Sequence, residues 1–407
     1  MLLGRSLSPK FLAKAKILGA KHGNQWYSRV DWTGTTDGNP SAMAWYPAND
    51  MRHKIPQLDA VRGLAALIVV MHNINLKYPL PFVPRLFNDG WMGVDLFFVL
   101  SGFLITGILF DTRPSEAYFK NFYARRCLRI WPLYYALLIF MFILVPHFRP
   151  SDAHMIFEPR SSPWWAYPLF LQNFLVPIPT MAVGALAVTW SLAIEEQFYL
   201  VWPLIVRFCN ARRLRFITVA VICLSPGLRY YLSAYHVIIY SNVFCRLDGL
   251  MAGALLSLLV RDREFIPVSF LRRAWILFVV AALLALISQK LNATWIVFSF
   301  TALASVAFVY LAMFSPQPWF QAVLHNRFLI FTGTISYGLY LLHKIPVDLA
   351  QSLHLDRYPG LAFPVIFAAA FLLAFLSWNL LEKPFLGLKR FFRSPPSAPD
   401  TAAIPRD

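Results

Sequence analysis

The chain has 407 residues, 58% of them hydrophobic and only 14% charged. Soluble domains carry about 25% charged residues, so this composition excludes an ordinary soluble enzyme and points to repeated bilayer crossing. The net charge of +17 would suggest nucleic acid in a soluble protein; here it fits basic cytoplasmic loops, and no nucleic-acid partner is expected.

Residues 1–55 are polar and basic. They read as a disordered segment or, through FLAKAKILGAKHG, as a basic helix lying on the membrane surface. No cleavable signal peptide is evident there. Apolar stretches of about 18–22 residues then recur, the length a helix needs to cross a bilayer core. Ten crossings are expected, at 58–76, 91–110, 130–146, 190–207, 214–232, 238–259, 273–289, 294–314, 328–348 and 361–381. Residues 164–181, WWAYPLFLQNFLVPIPTM, are apolar but rich in proline and aromatics, which suits an interfacial or re-entrant piece. Residues 391–407 read as a disordered Pro-rich tail, leaving 56–390 as the membrane domain.

The expected fold class is therefore all-α, a polytopic integral membrane helical bundle of about ten transmembrane helices. The connections on one side of those spans hold 27 Lys and Arg residues and those on the other hold 7. The excess of basic residues marks the cytoplasmic side and places both termini there. The expected location is a cell membrane crossed many times, a bacterial inner or plasma membrane. The four cysteines, Cys127, Cys209, Cys223 and Cys245, show no ligand spacing, so neither disulfides nor a metal site is expected.

Ionisable residues inside apolar spans are costly and usually mark a site or pathway. Arg62 and His72 share the first span, with Arg62 nearer the cytoplasm and His72 nearer the outside. Asp95 opens the second, about one turn below the outer surface. Glu195 and Glu196 are placed at a similar depth in the fourth. Arg246 and Asp248 fall near the middle of the sixth, and His343 lies toward the outer end of the ninth. Structural ion pairing is the competing explanation for each residue taken alone.

Seven strings around these residues carry a resemblance. They are LDAVRGLAALIVVMH at 58–72, WMGVDLFFVLSGFLIT at 91–106, YARRCLRIWPLYY at 123–135, WSLAIEEQFYLVWPL at 190–204, CRLDGLMAGALL at 245–256, GTISYGLYLLHKIPV at 333–347 and SWNLLEKPF at 377–385. Their content and order resemble the bacterial membrane acyltransferase-3 family, the O-acetylases of O-antigen, exopolysaccharide and peptidoglycan. The resemblance covers about residues 56–390. It implies an enzyme that transfers an acyl group, most often acetyl, from acetyl-coenzyme A as co-substrate, with no permanently bound cofactor. The acceptor it implies is a sugar hydroxyl on a cell-surface or exported carbohydrate or a glycolipid. Some members carry a fused extracytoplasmic esterase-like domain; none is expected here.

Acyl transfer to a hydroxyl needs a base and donors for the oxyanion. His72 is the first candidate base. Glu195 or Glu196 could orient it or act as base; they point about 100° apart on a helix, and Glu196 is preferred for the chemistry. Arg246 could hold the oxyanion or pair with a glutamate, and His343 could be a second base or a core histidine. Asp59 reads as an N-cap, and Asp248 as packing polarity. Asp95, Ser101 and Asn73 are assigned to the acceptor path, with capping of the second span as the alternative for Asp95. Arg125, Arg126 and Arg129, placed ahead of the third span, suit the phosphates of coenzyme A or plain cytoplasmic anchoring. Arg62 would contact the donor from the same side.

The sequence departs from the family pattern in one place. The family has an arginine, ten residues, then a histidine, which puts both on one helix face. Here nine residues separate Arg62 from His72, and Asn73 stands in the expected place. Helix tightening, an oblique approach of His72 near a frayed helix end, or a different base would each reconcile the spacing. A small secreted metabolite or a lipid as acceptor, and a non-catalytic transporter, are the alternative functions.

Overall fold

The computed structural model describes residues 16–22, 25–31, 55–79, 85–148, 163–175, 184–235, 238–261 and 270–392. The chain forms two units, residues 1–55 and 56–407. In the first, β1 (Lys16–His22) pairs antiparallel with β2 (Gln25–Asp31), Lys16 opposite Asp31 and His22 opposite Gln25. This hairpin is an exception to the all-α expectation, and Lys16–His22 is strand where a surface helix was one alternative. Val, Tyr and Trp in QWYSRVD favour an extended backbone. The rest of residues 1–55, and the tail from 393 on, lie outside the described residues.

The second unit is helical throughout its described elements. Its principal helices are α1 (Pro56–Lys77), α2 (Gly93–Thr112), α3 (Tyr118–Ile139), α4 (Thr189–Phe208), α5 (Ala211–Ala234) and α6 (Val243–Arg261). They continue with α7 (Phe270–Lys290), α8 (Thr294–Phe314), α9 (Arg327–Thr334), α10 (Ser336–Ser352) and α11 (Pro359–Ser377). Among the described residues, eight helices are long and apolar enough to cross a membrane, and nine if α9 and α10, bent by 65°, form one span. The remaining expected crossing is α4. It has 20 residues, but Glu195, Glu196 and Gln197 in mid-helix make it more polar than the others.

The third expected crossing starts earlier than its hydropathy suggests. α3 begins at Tyr118 and runs on through a π turn, Phe140–Leu144. Arg125, Arg126 and Arg129 therefore lie inside the helix rather than ahead of it. Residues 163–175 form only short pieces, Trp164–Ala166 and Gln172–Leu175. These are tied to the bundle where Tyr134 Oη donates to the Tyr167 carbonyl (2.7 Å) and Gln197 Nε2 to the Phe170 carbonyl (2.7 Å).

Two helix crossings are made by backbone meeting backbone. A Cβ on Gly102 of α2 would sit 1.8 Å from the Leu250 carbonyl oxygen of α6, and one on Gly253 of α6 would sit 1.9 Å from that of Val99. α1 and α9 meet in the same way: a Cβ on Gly63 would lie 2.1 Å from the Leu329 oxygen, and one on Gly333 1.8 Å from the Asp59 oxygen. Association of helices in lipid rests on close packing rather than on expelling water, so small residues at the crossing set the helix spacing. The first crossing fixes α2 on α6 and the second fixes α1 on α9, and both α1 and α2 line the cavity described next.

Candidate active site

A cavity of about 110 Å³ opens between α1, α2, α3, α4 and α10. Its polar lining includes Arg62, Ser101, Arg126, Arg129, Glu195 and Tyr199. Helical spacing explains the set. Ser191, Glu195 and Tyr199 recur every four residues on α4 and so share one face, and Arg126 and Arg129 are three apart on α3. Glu196, one residue on, faces away: Trp131 Nε1 donates to its Oε2 at 3.4 Å, and its buried Oε1 has no hydrogen-bond partner.

Glu195 is held at both oxygens. Ser101 Oγ donates to Oε1 (2.8 Å), and Tyr199 Oη donates to Oε2 (3.0 Å). Both donors are neutral. The guanidinium of Arg126 lies over the rings of Tyr199 (5.5 Å) and Phe122 (5.8 Å). Among the described residues neither Arg126 nor Arg129 has a carboxylate within the 4.0 Å of an ion pair. Glu382 acts on Arg129 only at longer range. Arg62 is closest to Asp59, 3.5 Å away, and remains 32% exposed. Three cations thus converge on a small cavity that holds one carboxylate. An anion is the natural complement of that charge balance.

These groups share a depth. Ser101 lies eight residues from Gly93 and eleven from Thr112, about 12 and 16 Å along the helix. Arg126 and Arg129 lie eight and eleven residues from the start of α3, again about 12 and 16 Å. Glu195 is six residues into α4 and thirteen from its end, deeper than its expected place beside Asp95. The arginines and the glutamate, assigned from sequence to opposite ends of the pathway, line one cavity.

Arg246 and Asp95 belong elsewhere. Arg246 Nη2 lies 2.9 Å from Asp95 Oδ1, and both side chains are almost wholly buried. The contact is an ion pair without a well-aligned N–H, for none of the three guanidinium nitrogens makes a hydrogen bond. The charge is held instead by a cage of Phe98, Trp190, Tyr240 and Phe298, the last with its ring centroid 3.9 Å away. The partner of Arg246 is therefore Asp95, not a glutamate, and Asp95 is an ion-pair partner where the acceptor path was expected. Asp248 pairs with Arg229 of α5 (2.9 Å) and accepts from Ser299 Oγ (2.8 Å). Asp59 is not an N-cap, because α1 begins three residues earlier at Pro56.

The two histidines lie further along. α1 stays regular through His72 and Asn73 to Lys77, so neither tightening nor a frayed end corrects the Arg62–His72 spacing. His72 is half-buried against the 85–92 turn, where a Cβ on Gly90 would come 2.6 Å from its own. Asn73 Nδ2 donates back to the Val69 carbonyl of α1 (3.0 Å). His343 is fully buried, and its Nδ1 is 2.7 Å from the Tyr340 carbonyl. A carbonyl only accepts, so Nδ1 carries the proton and Nε2 keeps a lone pair. Nε2 is buried with no partner. Tyr340 lines the cavity and joins Ser191 by a 2.6 Å hydrogen bond, so His343 sits one turn beyond the cavity wall, within electrostatic range of His72. Arg125, the third arginine of its cluster, is exposed and does not line the cavity.

Sequence reasoning missed Tyr199, Tyr337, Tyr340 and Arg229. The tyrosines lie within the quoted strings, and the four-residue spacing of Ser191, Glu195 and Tyr199 was a usable signal. It also selects Glu195 over Glu196 for this cavity.

No solved structure matches the chain. It is 27% identical over 360 residues to a Staphylococcus aureus protein named as an inferred O-acetyltransferase, covering 81% of this chain and 57% of that one. It is 26% identical over 363 residues to the peptidoglycan O-acetyltransferase OatA of Listeria monocytogenes, covering 82% of this chain and 56% of that one. YrhL of Bacillus subtilis, named as an inferred peptidoglycan O-acetyltransferase, is 34% identical over 161 residues, 37% of this chain and 23% of that one. The chain thus spans little more than half the length of the first two relatives. Residues 55–379 match the family described as an acyltransferase domain, which is most of the helical unit and all of the cavity lining. The chain belongs to the acyltransferase-3 family.

Proposed function

We propose that this protein is an integral-membrane O-acyltransferase. It moves an acetyl group from acetyl-coenzyme A to a hydroxyl of a cell-surface or exported glycan, in a bacterial plasma membrane with both termini cytoplasmic. One observation carries the reading: three arginines, two without an ion-pair partner among the described residues, share a mid-depth cavity with a Ser–Glu hydrogen bond. The donor is anionic, and arginine grips phosphate through two parallel N–H bonds. Arg62, 32% exposed, meets the donor's charged portion, and Arg126 and Arg129 steady the oxyanion that forms at the thioester carbonyl. The basic-residue count supports entry of the donor from the end where α1 and α3 begin.

His343 is the better base for the acceptor end. Its Nδ1–H is anchored to a carbonyl, and its Nε2 lone pair is available. His72 lies near it and serves the same end of the pathway. A glycan acceptor is supported by the names of two relatives, the Listeria peptidoglycan O-acetyltransferase and the Bacillus protein inferred to be one.

The test is release of coenzyme A from labelled acetyl-coenzyme A by the purified protein in lipid nanodiscs, with and without glycan fragments. Labelled O-acetyl esters on the glycan, labile to mild base, are the expected product. Solute flux across proteoliposomes with no acyl product would instead identify a transporter, and ester formation only on lipids or small alcohols would move the acceptor to those classes.

A further inference from the structure

The geometry points to Ser101 as a covalent acyl carrier, so that transfer proceeds through an acyl-serine ester at the middle of the membrane. The inference rests on the acyl-transfer reading above and adds a step to it.

Three observations carry it. The first is the hydrogen bond from Ser101 Oγ to Glu195 Oε1 at 2.8 Å, on the wall of the cavity. A hydroxyl whose proton already points at a carboxylate has the arrangement of an activated nucleophile and its base. Three serines line the cavity, and among the described residues only Ser101 donates to a carboxylate there: Ser191 is engaged with Tyr340 Oη, and Ser336 donates to the Gly333 carbonyl. Tyr199 fixes the other oxygen of Glu195, so the carboxylate cannot swing away from the serine.

The second is volume. The cavity holds about 110 Å³, whereas sites for small ligands run to about 300–1,000 Å³. It can admit the acyl-bearing tip of one substrate at a time, but not a donor thioester and an acceptor sugar together. A site that holds its substrates in turn must keep the acyl group in between.

The third is depth. Ser101 is about 12 Å from one end of α2 and about 16 Å from the other, a half-way station for a donor and an acceptor that arrive from opposite faces.

The steps balance without any further reagent. Ser101 Oγ attacks the thioester carbonyl carbon as its proton passes to Glu195. The tetrahedral oxyanion is held beside Arg126 and Arg129, the carbon–sulfur bond breaks, and the thiolate takes the proton from Glu195 and leaves as the free thiol. The acceptor hydroxyl then attacks the seryl ester. Its proton passes to the base at the acceptor end, the carbon–Oγ bond breaks, and that base returns the same proton, by way of Glu195, to Ser101 Oγ.

The experiment omits the acceptor. Purified protein in nanodiscs is mixed with labelled acetyl-coenzyme A, quenched in acid, and analysed by intact-protein and peptide mass spectrometry. One acetyl group per protein, mapped to the peptide holding Ser101, with one coenzyme A released, is expected. Ser101→Ala should lose the label. Ser101→Cys should retain it as a thioester cleaved by neutral hydroxylamine, which also shows that the substituted protein is folded. Glu195→Gln keeps the hydrogen bond and should slow acylation at least a hundredfold. Transfer to a glycan with no label on the protein, or full transfer by Ser101→Ala, would overturn the relay and leave the acyltransferase reading standing. No coenzyme A release with any acceptor would overturn both.

Discussion

Among the described residues of the bundle, two sets of charges inside the spans are built on opposite principles. In one, Arg246 faces Asp95 and Arg229 faces Asp248, each pair at 2.9 Å and each almost wholly shielded. Arg229 also donates to the Trp295 carbonyl (2.7 Å) and to the Cys245 carbonyl and Ser299 hydroxyl. In the other, Arg126 and Arg129 meet no carboxylate partner among the described residues, and Glu195 is satisfied by two hydroxyls. The first set spends its charges on itself. The second leaves an excess of positive charge facing a cavity. Charge inside a membrane protein is therefore not by itself a sign of function; matched charges hold helices together, and unmatched ones await a ligand.

Substitutions can break this contrast, and the largest effects should fall on the matched set. Arg229→Ala strands Asp248, and losing one member of a buried pair costs about 3–5 kcal/mol. The folded fraction after detergent extraction, read by size-exclusion chromatography, should collapse, and the double substitution Arg229→Met with Asp248→Leu should recover much of it. Gly253→Val should be comparably damaging, because the added Cβ lands on the Val99 carbonyl and α2 and α6 must separate; overpacking costs about 1–3 kcal/mol or more.

The unmatched set should behave in reverse. Arg126→Ala and Arg129→Ala should leave melting temperature unchanged within a few degrees, or raise it, while weakening the donor. Charge-assisted hydrogen bonds contribute about 1.5–3 kcal/mol, so kcat/KM for acetyl-coenzyme A should fall roughly 10- to 100-fold, with Arg125→Ala as the silent neighbour. His343→Asn should lower transfer to the acceptor by about 100-fold or more, as expected for loss of a general base, while acetyl-coenzyme A still binds. The smallest effect belongs to Asn73→Ala. The Asn73 amide bonds only to its own helix, so activity should stay within about twofold if such a surface-type change costs no more than ~0.5 kcal/mol. A large loss would return Asn73 to the acceptor path.

The sequence made the membrane bundle legible because apolar length is a direct signature of a span. It was less informative where charge extends a helix. α3 starts at Tyr118, but hydropathy rises only after Arg129, so three arginines in the helix read as a loop ahead of it. Arg229, near the end of the span expected at 214–232, drew no assignment from sequence, although it is fully buried in α5 and paired with Asp248. Pairing was illegible altogether. Nothing in the spacing of Asp95 and Arg246, on helices far apart in sequence, says that they meet. The choice between Glu195 and Glu196 was readable in principle, since Ser191 and Tyr199 mark the face that Glu195 shares.

The matched pairs also bear on how the protein is made. A lone charged residue raises the cost of a helix's entry into the membrane, by about 2.5–3.5 kcal/mol at the centre and by less toward the ends, where these residues lie. Arg229 and Asp248 lie on the consecutive helices α5 and α6, so a newly synthesised hairpin can neutralise both as it leaves the translocon. Asp95 has no such neighbour. It enters with α2, before α3, α4 and α5 are made, and its partner arrives only with α6. Until then α2 lacks the charge partner that it has in the folded bundle. Biogenesis of this chain should stall detectably at nascent lengths between those two helices.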